Sequence, residues 1–187
     1  MRIIGGIYKG KKILLPKDLS TRPLKDLTKE SIFNIIEHSN KFSINLNNSD
    51  VLDLFSGTGS FGIECLSRGA KHVFFVEYYK EILPILKKNL IKLKLSDSYK
   101  IVEDNIFSNL NFNTFKKKFD IVFLDPPYKE NDLTKLIQTL VNEKFLKNNG
   151  ILIIHRHQNH KDVFTKNIKI IEEKKYGISK IIFGIIV

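Results

Sequence analysis

An acid, two prolines and an aromatic ring stand together near the middle of the chain, at Asp125, Pro126, Pro127 and Tyr128. They follow a mostly apolar run, residues 119–124, that is typical of a strand buried in a parallel sheet. The prolines must end this strand because they have no N–H to donate to a sheet ladder. A carboxylate, a stiff stretch of backbone carbonyls and a flat ring could together hold a planar amino group. The motif therefore predicts chemistry on an exocyclic nitrogen of a base, with these four residues as the catalytic set.

A glycine-rich turn follows an earlier apolar run. Residues 51–55 are predicted to form another buried strand, and residues 56–62 read Ser-Gly-Thr-Gly-Ser-Phe-Gly before a predicted helix. The glycines permit a tight turn and close approach of the backbone to a ligand, and the helix offers its first N–H groups. Glu77, which lies 20 residues beyond Gly57 at the end of a further predicted strand, could accept hydrogen bonds from ribose hydroxyls.

The glycine spacing by itself is equally typical of nicotinamide-dependent dehydrogenases or of a purely structural turn. Asp53 and Phe55 favour S-adenosylmethionine instead. A pyrophosphate gains little from an additional negative charge, whereas the ammonium and sulfonium groups of S-adenosylmethionine are stabilised by one. The strand end at Asp125 then provides a site for a methyl acceptor, which a dehydrogenase would not need.

Length and composition predict one globular domain in the cytoplasm. The chain has 187 residues, and no stretch approaches the ~20 apolar residues of a membrane span. The first residues lack the apolar segment of a secretory signal. Cys65 is the single cysteine, which excludes an internal disulfide and fits a reducing compartment.

Positive charge is concentrated at the amino terminus. The chain carries a net charge of +11, and residues 1–29 hold eight basic and two acidic side chains, a local excess of +6. A composition rich in Lys, Asn and Ile could raise the total charge without any selection for binding, so the distribution is more informative. Clustered cations favour a nucleic-acid partner.

Strand and helix patterns alternate after residue 50. Strands are predicted at 50–55, 72–77, 99–103, 119–125 and 150–155, helices at 60–68, 80–94 and 131–146, and a closing antiparallel pair at 168–174 and 178–187. This order predicts an α/β fold with the Rossmann-like sheet of class I methyltransferases and a terminal antiparallel hairpin. A short hairpin or two short strands in residues 2–14, a loop and a helix to about His38 form an amino-terminal extension that is predicted to face a nucleic acid. The extension comprises residues 1–40 and the methyltransferase domain residues 41–187, within one compact unit.

In this order the motifs resemble the bacterial 16S ribosomal RNA guanine-N2 methyltransferase family called RsmD. The matching segments are 2–6, 10–11, 22–23, 30–34, 53–64, 67–70, 77, 89–90 and 125–128. They run nearly from end to end, and the amino-terminal Ile-Ile-Gly-Gly and Arg-Pro segments are the most particular to the family. The chain departs from the family pattern at residues 155–157, His-Arg-His, where acidic residues are expected on the fifth strand.

The resemblance implies S-adenosylmethionine as cofactor and 16S ribosomal RNA, in a small subunit or its assembly intermediate, as substrate. A monomer is expected, although the sequence itself does not determine the oligomeric state. Asp53, Gly57 and Gly59 would hold the methionine part of the cofactor, Glu77 its ribose and Asp104 its adenine amino group. The remaining predicted cofactor residues are Phe55, Thr58, Tyr78 and Asn105. The predicted RNA-binding residues are Arg2, Lys9, Lys11, Lys12, Arg22, Lys25 and Lys29.

Several alternatives stay open. An adenine-N6 methyltransferase acting on DNA or RNA uses the same kind of strand end, and the identity of Asp125 does not settle the base. A nicotinamide-dependent oxidoreductase or a non-enzymatic nucleic-acid binder is a more distant possibility. His155, His157 and His160 do not complete a familiar metal site, so no metal is expected and the three are predicted to be surface residues or RNA contacts.

Overall fold

The computed structural model describes residues 1–16, 24–94, 97–107, 115–127 and 133–187. Within these residues seven strands form one sheet in the order β3-β2-β1-β4-β5-β7-β6. The strands are β1 (Asp50–Leu54), β2 (His72–Val76), β3 (Tyr99–Val102), β4 (Phe119–Leu124), β5 (Leu146–His157), β6 (Ile168–Tyr176) and β7 (Ser179–Ile186). The first five strands pair in parallel, and β7 lies antiparallel between β5 and β6. The predicted class I methyltransferase sheet with its terminal hairpin is confirmed.

Helices cover both faces of the sheet. They are α1 (Asp26–His38), α2 (Ser60–Ser67), α3 (Leu83–Lys92) and α4 (Leu133–Asn142). Helices α1, α2 and α3 contribute to the apolar core on one face, and α4 contributes to the core on the other. Pro84 lies in the first turn of α3, where its missing N–H breaks no helical hydrogen bond. Among the described helices none is long and apolar enough to cross a bilayer.

The largest difference from the predicted elements lies before β5. The strand begins at Leu146 instead of residue 150, and α4 ends at Asn142 instead of residue 146. Leu146 pairs with Phe119, and the register then shifts before Ile121 pairs with Ile151. Residues 147–149 are exposed and polar, so they carry no apolar alternation by which a strand could be predicted.

The amino-terminal extension begins with a hairpin that has an antiparallel bridge between Arg2 and Lys12. Its turn lies directly on the end of α2: the N–H of Ile7 donates to the carbonyl of Ser67 at 2.8 Å. Gly6 has φ 72°, and a Cβ atom there would lie 1.8 Å from that carbonyl oxygen, so only glycine permits this approach. The extension and the sheet therefore form one continuous structure.

The apolar side chains of the extension support this continuity. They belong to the same buried cluster as side chains from α2 and the central strands, and the extension contributes Ile3, Ile13, Leu24, Ile32, Phe33 and Ile36. Phe33 of α1 stacks on Phe61 of α2 with ring centroids 5.3 Å apart. The two predicted parts, residues 1–40 and 41–187, therefore share one apolar core.

Candidate active site

The candidate site lies where the order of strands reverses. The chain passes from β1 outward to β2 and β3 and then returns to place β4 on the other side of β1. Ligands of open α/β sheets bind at the carboxyl ends of the strands at such a switch point. Asp53 on β1 is in register with Phe123 on β4, while Glu77 and Asp125 directly follow β2 and β4. Three acids thus end neighbouring strands at one edge.

The glycine-rich turn after β1 requires its glycines. Gly57 and Gly59 have φ angles of 54° and 82°, a region that favours glycine over residues with a Cβ. A Cβ at Gly59 would lie 2.6 Å from Leu86 of α3, whereas one at Gly57 would meet no atom within 4 Å. Gly57 therefore faces open space at the site, as expected of backbone that borders a ligand.

Glu77 is fixed by three backbone N–H groups. Its Oε2 accepts from Gly57 at 2.8 Å, and its Oε1 accepts from Tyr78 at 2.9 Å and Tyr79 at 2.8 Å. The residue is 8% exposed. These bonds stabilise an ionised carboxylate and hold it against the turn.

Asp53 is buried, and its Oδ2 accepts a 3.0 Å hydrogen bond from the N–H of Gly62. Burial raises the pKa of Asp53 well above its ordinary range; the Gly62 N–H opposes this shift, and the charges of Asp125 and Glu77 add to it. Because the charges of Asp125 and Glu77 act on Asp53, the electrostatic potential at the site is negative, although the chain is strongly basic. Such a site favours a positively charged ligand.

The segment after β3 contacts the start of the turn after β1 through a pair of aromatic rings. Phe55 has φ 65° and leaves the strand one residue earlier than predicted, and its ring lies 5.4 Å from that of Phe107. Asp104 accepts a hydrogen bond from the N–H of Asn105. Tyr78 is 50% exposed, so its ring is available to a ligand.

Asn89 on α3 connects this turn to the amino-terminal extension. Its Oδ1 accepts from the N–H of Leu14 at 2.8 Å, and its Nδ2 donates to the carbonyls of Leu14 and Thr58 at 3.1 and 3.0 Å. One side chain therefore makes hydrogen bonds with backbone groups of both segments. The sequence offered only its match to the family pattern as an indication of this role.

Asp125 lies beside a histidine that sequence reasoning did not assign to the site. Nδ1 of His155 is 2.7 Å from Oδ1 of Asp125, and the His155 side chain is 7% exposed. The prediction that His155 is a surface residue is therefore wrong. Pro126 is buried and Pro127 exposed, while Tyr128 lies outside the described residues.

The predicted RNA-binding residues divide into three groups. Five of them are exposed around the hairpin and the start of α1: Arg2, Lys9, Lys11, Lys12 and Lys25. Arg22 lies outside the described residues. Lys29 is fully buried, so its prediction as an RNA contact is wrong.

Lys29 serves the interior instead. Its ammonium donates to the carbonyl of Arg2 at 2.7 Å and lies 3.4 Å from Oε2 of Glu64. Burial lowers the pKa of Lys29, and the Glu64 charge opposes that shift. Glu64 also accepts from the N–H groups of Ile4 and Gly5 at 2.8 and 2.7 Å. The charged pair of Lys29 and Glu64 thus attaches the hairpin to α2.

His, Cys, Asp and Glu side chains do not gather into a candidate metal cluster anywhere in the described parts of the chain.

Comparison with known proteins places this site in a family. Residues 1–185 match the family described as Conserved hypothetical protein 95. A relative named ribosomal RNA small subunit methyltransferase D, from Haemophilus influenzae, is 33% identical over 95% of this chain and 90% of its own length. A relative of that name from Buchnera aphidicola (subspecies Baizongia pistaciae) is 32% identical over 99% of this chain and 90% of its own. The chain belongs to the ribosomal RNA small subunit methyltransferase D family.

Solved structures agree with this family fold. A candidate methyltransferase of Escherichia coli superposes with a TM-score of 0.80 at 26% identity, covering 100% of this chain and 97% of that one. A candidate methylase of Haemophilus influenzae gives a TM-score of 0.74 at 29% identity, covering 100% and 98%. Both likenesses span the chain from the amino-terminal hairpin to the closing strands.

Proposed function

We propose that this chain transfers a methyl group from S-adenosylmethionine to the exocyclic N2 of a guanine in 16S ribosomal RNA. The observation that carries the proposal is the convergence of Asp53, Glu77 and Asp125 at the switch point, beside a glycine turn that is open at Gly57. Membership of the methyltransferase D family supports the choice of ribosomal RNA as substrate.

The acids of the site fit a cationic nucleoside cofactor. S-adenosylmethionine would supply a methyl carbon on a positively charged sulfur: a nitrogen nucleophile would attack that carbon, the carbon–sulfur bond would break, and neutral S-adenosylhomocysteine would leave. Asp53, buried and close to two further carboxyls, stabilises the positive charge of the methionine part together with the backbone of Gly57 and Gly59. Glu77, fixed by three N–H groups, accepts from the ribose hydroxyls. Asp104 holds the adenine amino group.

The acceptor amine needs activation, because its lone pair is delocalised into the base. Asp125 and the carbonyl of Pro126 accept its two N–H groups. These bonds move the nitrogen toward tetrahedral geometry and aim its lone pair at the methyl group, so that positioning provides most of the acceleration. After transfer the nitrogen carries a proton in excess, which passes to Asp125 or to water.

The exposed cations of the hairpin bind the RNA backbone next to this pocket. They lie on a segment that is attached to α2 by Glu64 and Ser67, so phosphate contacts would fix the base relative to Asp125. The target base must be unpaired or flipped out of its helix to enter. The substrate is a small subunit or an assembly intermediate, met in the cytoplasm by a monomeric enzyme.

Nucleoside analysis of ribosomal RNA tests the proposal. Small subunits from cells that lack this protein are incubated with the purified chain and S-adenosylmethionine, and their nucleosides are identified by mass spectrometry. We expect N2-methylguanosine with the wild type and none with Asp125→Ala, while both proteins bind S-adenosylhomocysteine in calorimetry. Asp120→Ala, at the opposite end of the same strand, is the matched control and should retain activity.

Other results would assign another function. N6-methyladenosine as the product would identify an adenine methyltransferase. Binding of NADH without binding of S-adenosylhomocysteine would identify an oxidoreductase, and full activity of Asp125→Ala would contradict the mechanism.

A further inference from the structure

His155 and Asp125 occupy equivalent positions on two neighbouring parallel strands. Leu124 of β4 is in register with Ile154 of β5, so the next residue along each strand is Asp125 and His155. Successive side chains of a strand point to opposite faces. Both residues therefore continue the face of the sheet that carries Phe123 and α2.

Asp53 lies on this same face. Its neighbours Leu52 and Leu54 belong to the apolar cluster of the opposite face, and its own carboxylate accepts from Gly62 of α2. The buried acid, the acid after β4 and the histidine thus form a row across β1, β4 and β5. The register of the strands creates this row, and no single motif contains it.

The contact between the two side chains is short. The distance of 2.7 Å between Nδ1 and Oδ1 lies within the range of a hydrogen bond. An ionised carboxylate can only accept, so Nδ1 of His155 carries the hydrogen. The imidazole is the donor in this pair whatever the protonation of its Nε2.

The two side chains differ in their access to solvent. His155 is 7% exposed and Asp125 is 20% exposed. His155 lies on β5, where it pairs with Ile181 of β7, and its imidazole is the more buried of the two side chains. The buried imidazole therefore contacts Oδ1 of Asp125, while part of that carboxylate stays exposed to solvent.

A donor at this position also offsets a repulsion. The charge of Asp125 acts on Asp53 strongly enough to contribute to its raised pKa, after burial. Two acids on one face of a sheet would move apart or share a proton. The N–H of His155 stabilises the negative charge of Asp125 and keeps that acid an acceptor.

We propose that His155 is a positioning residue for methyl transfer, whose Nδ1–H holds Oδ1 of Asp125 and thereby directs Oδ2 toward the acceptor amine. This inference rests on the proposed function and deepens it. It assigns the orientation of the critical carboxylate to a residue thirty positions later in the chain.

Two amide substitutions separate positioning from packing. In His155→Asn the side-chain amide nitrogen can take the place of Nδ1 and still donate to Asp125. In His155→Gln the amide lies one bond further out, near the place of Nε2, and the donor is displaced. Both variants keep a polar, uncharged side chain that does not titrate.

The expected result is a difference in kcat between these variants. Methyl transfer to small subunits from cells lacking this protein should stay close to wild type for His155→Asn. It should fall about 10- to 100-fold for His155→Gln, the decrease expected when a hydrogen bond to a charged group is removed. KM for the subunits and the affinity for S-adenosylhomocysteine should be equal in both variants, because the carboxylate orientation concerns only the reacting amine.

A second histidine–aspartate pair provides the control. His72 lies 3.2 Å from Oδ1 of Asp50 at the amino end of the sheet, also between parallel strands. His72→Asn and His72→Gln should both keep wild-type kcat. Thermal melts of all four variants show whether any difference reflects a smaller folded fraction.

Equal kcat for the Asn and Gln variants at position 155, whether both high or both low, would overturn the inference. If instead the wild type transfers no methyl group, the proposed function itself fails and the role of His155 fails with it. If the wild type is active and the two variants do not differ, the function stands and only the positioning role is refuted.

Discussion

The N–H of Gly57 donates a 2.8 Å hydrogen bond to Oε2 of Glu77, which joins the turn after β1 to the carboxylate that ends β2. Glu77 therefore holds the backbone of the turn, in addition to the contact with the cofactor ribose that we propose for it. Two roles converge on one side chain, and its removal should affect both.

Glu77→Ala should lower the affinity for S-adenosylhomocysteine by about 10-fold or more, because the variant has neither a charged acceptor for the ribose nor the support of the turn. Isothermal titration calorimetry measures this change. Glu103→Ala is the matched control, since Glu103 is a half-exposed residue that pairs with Lys87 just after β3. Equal affinities of the two variants would contradict the role of Glu77.

Asp53 should make cofactor affinity depend on pH. Burial raises its pKa, and Asp125 and Glu77 contribute, so part of the free protein carries a proton there above about pH 4. A cationic ligand favours the ionised form and releases that proton. Affinity for S-adenosylmethionine should therefore rise with pH until Asp53 is ionised in the free protein.

Asp53→Asn should remove this pH dependence and bind weakly at every pH, whereas the exposed Asp97→Asn should match the wild type.

The free energy of unfolding of the cofactor-free protein should depend on pH with the opposite sign to that of the cofactor affinity. The folded state holds the proton more tightly than the unfolded state, so stability falls as pH rises through the window above about pH 4. Without cofactor, the free energy of unfolding of Asp53→Asn relative to that of the wild type should increase as pH rises above about 4, and urea denaturation at several pH values measures it.

The buried pair of Lys29 and Glu64 should be essential for stability. Lys29→Met removes one of the two cations beside the buried Glu64 carboxylate and leaves only Arg68, whose Nε lies 2.9 Å from Oε1. Loss of a buried partner of this kind costs up to about 3–5 kcal/mol. Lys41→Met breaks the pair with Glu172, in which Lys41 is 53% exposed, and should cost about 0–1 kcal/mol. Urea denaturation measures both, and similar decreases for the two variants would contradict the assigned burial.

The exposed hairpin lysines should control RNA affinity through charge. Changing Lys9, Lys11 and Lys12 together to Gln should weaken binding to small subunits and reduce the salt dependence of log K by about 1 for each phosphate that is no longer neutralised. Filter binding between about 50 and 200 mM salt, the range in which phosphate neutralisation dominates, measures the slope. The control changes three exposed lysines on or near the edge strand β6, which are Lys166, Lys169 and Lys175, and an equal effect there would show that total charge alone matters.

The strand ends that carry Asp53, Glu77 and Asp125 are predictable because each acid stands at a fixed place after a run of buried residues. Parallel strands bring such ends to one edge whatever the details of packing. The family resemblance then gives the acids their roles. Local pattern and topology are sufficient for this part of the site.

Lys29 and His155 depend on contacts that no local pattern contains. A count of charges treats Lys29 as a surface cation, and only the packing of α1 on α2 shows that its partner is Glu64. His155 meets Asp125 because β5 follows β4 in register beyond an irregular pairing at Leu146. The length of that irregular segment decides which residue of β5 lies level with Asp125, and its exposed polar residues give no indication of it.

The hydrogen bonds between Asn89 and Leu14 have a consequence for energetics. Since a single side chain bonds both Leu14 and Thr58, displacement of Leu14 would remove two hydrogen bonds from the side chain that also holds the glycine-rich turn. The binding free energy of a ligand at the hairpin and that of a ligand at the glycine-rich turn are then coupled. Binding at either site should change the dissociation constant of the ligand at the other site, and by the same factor in both directions.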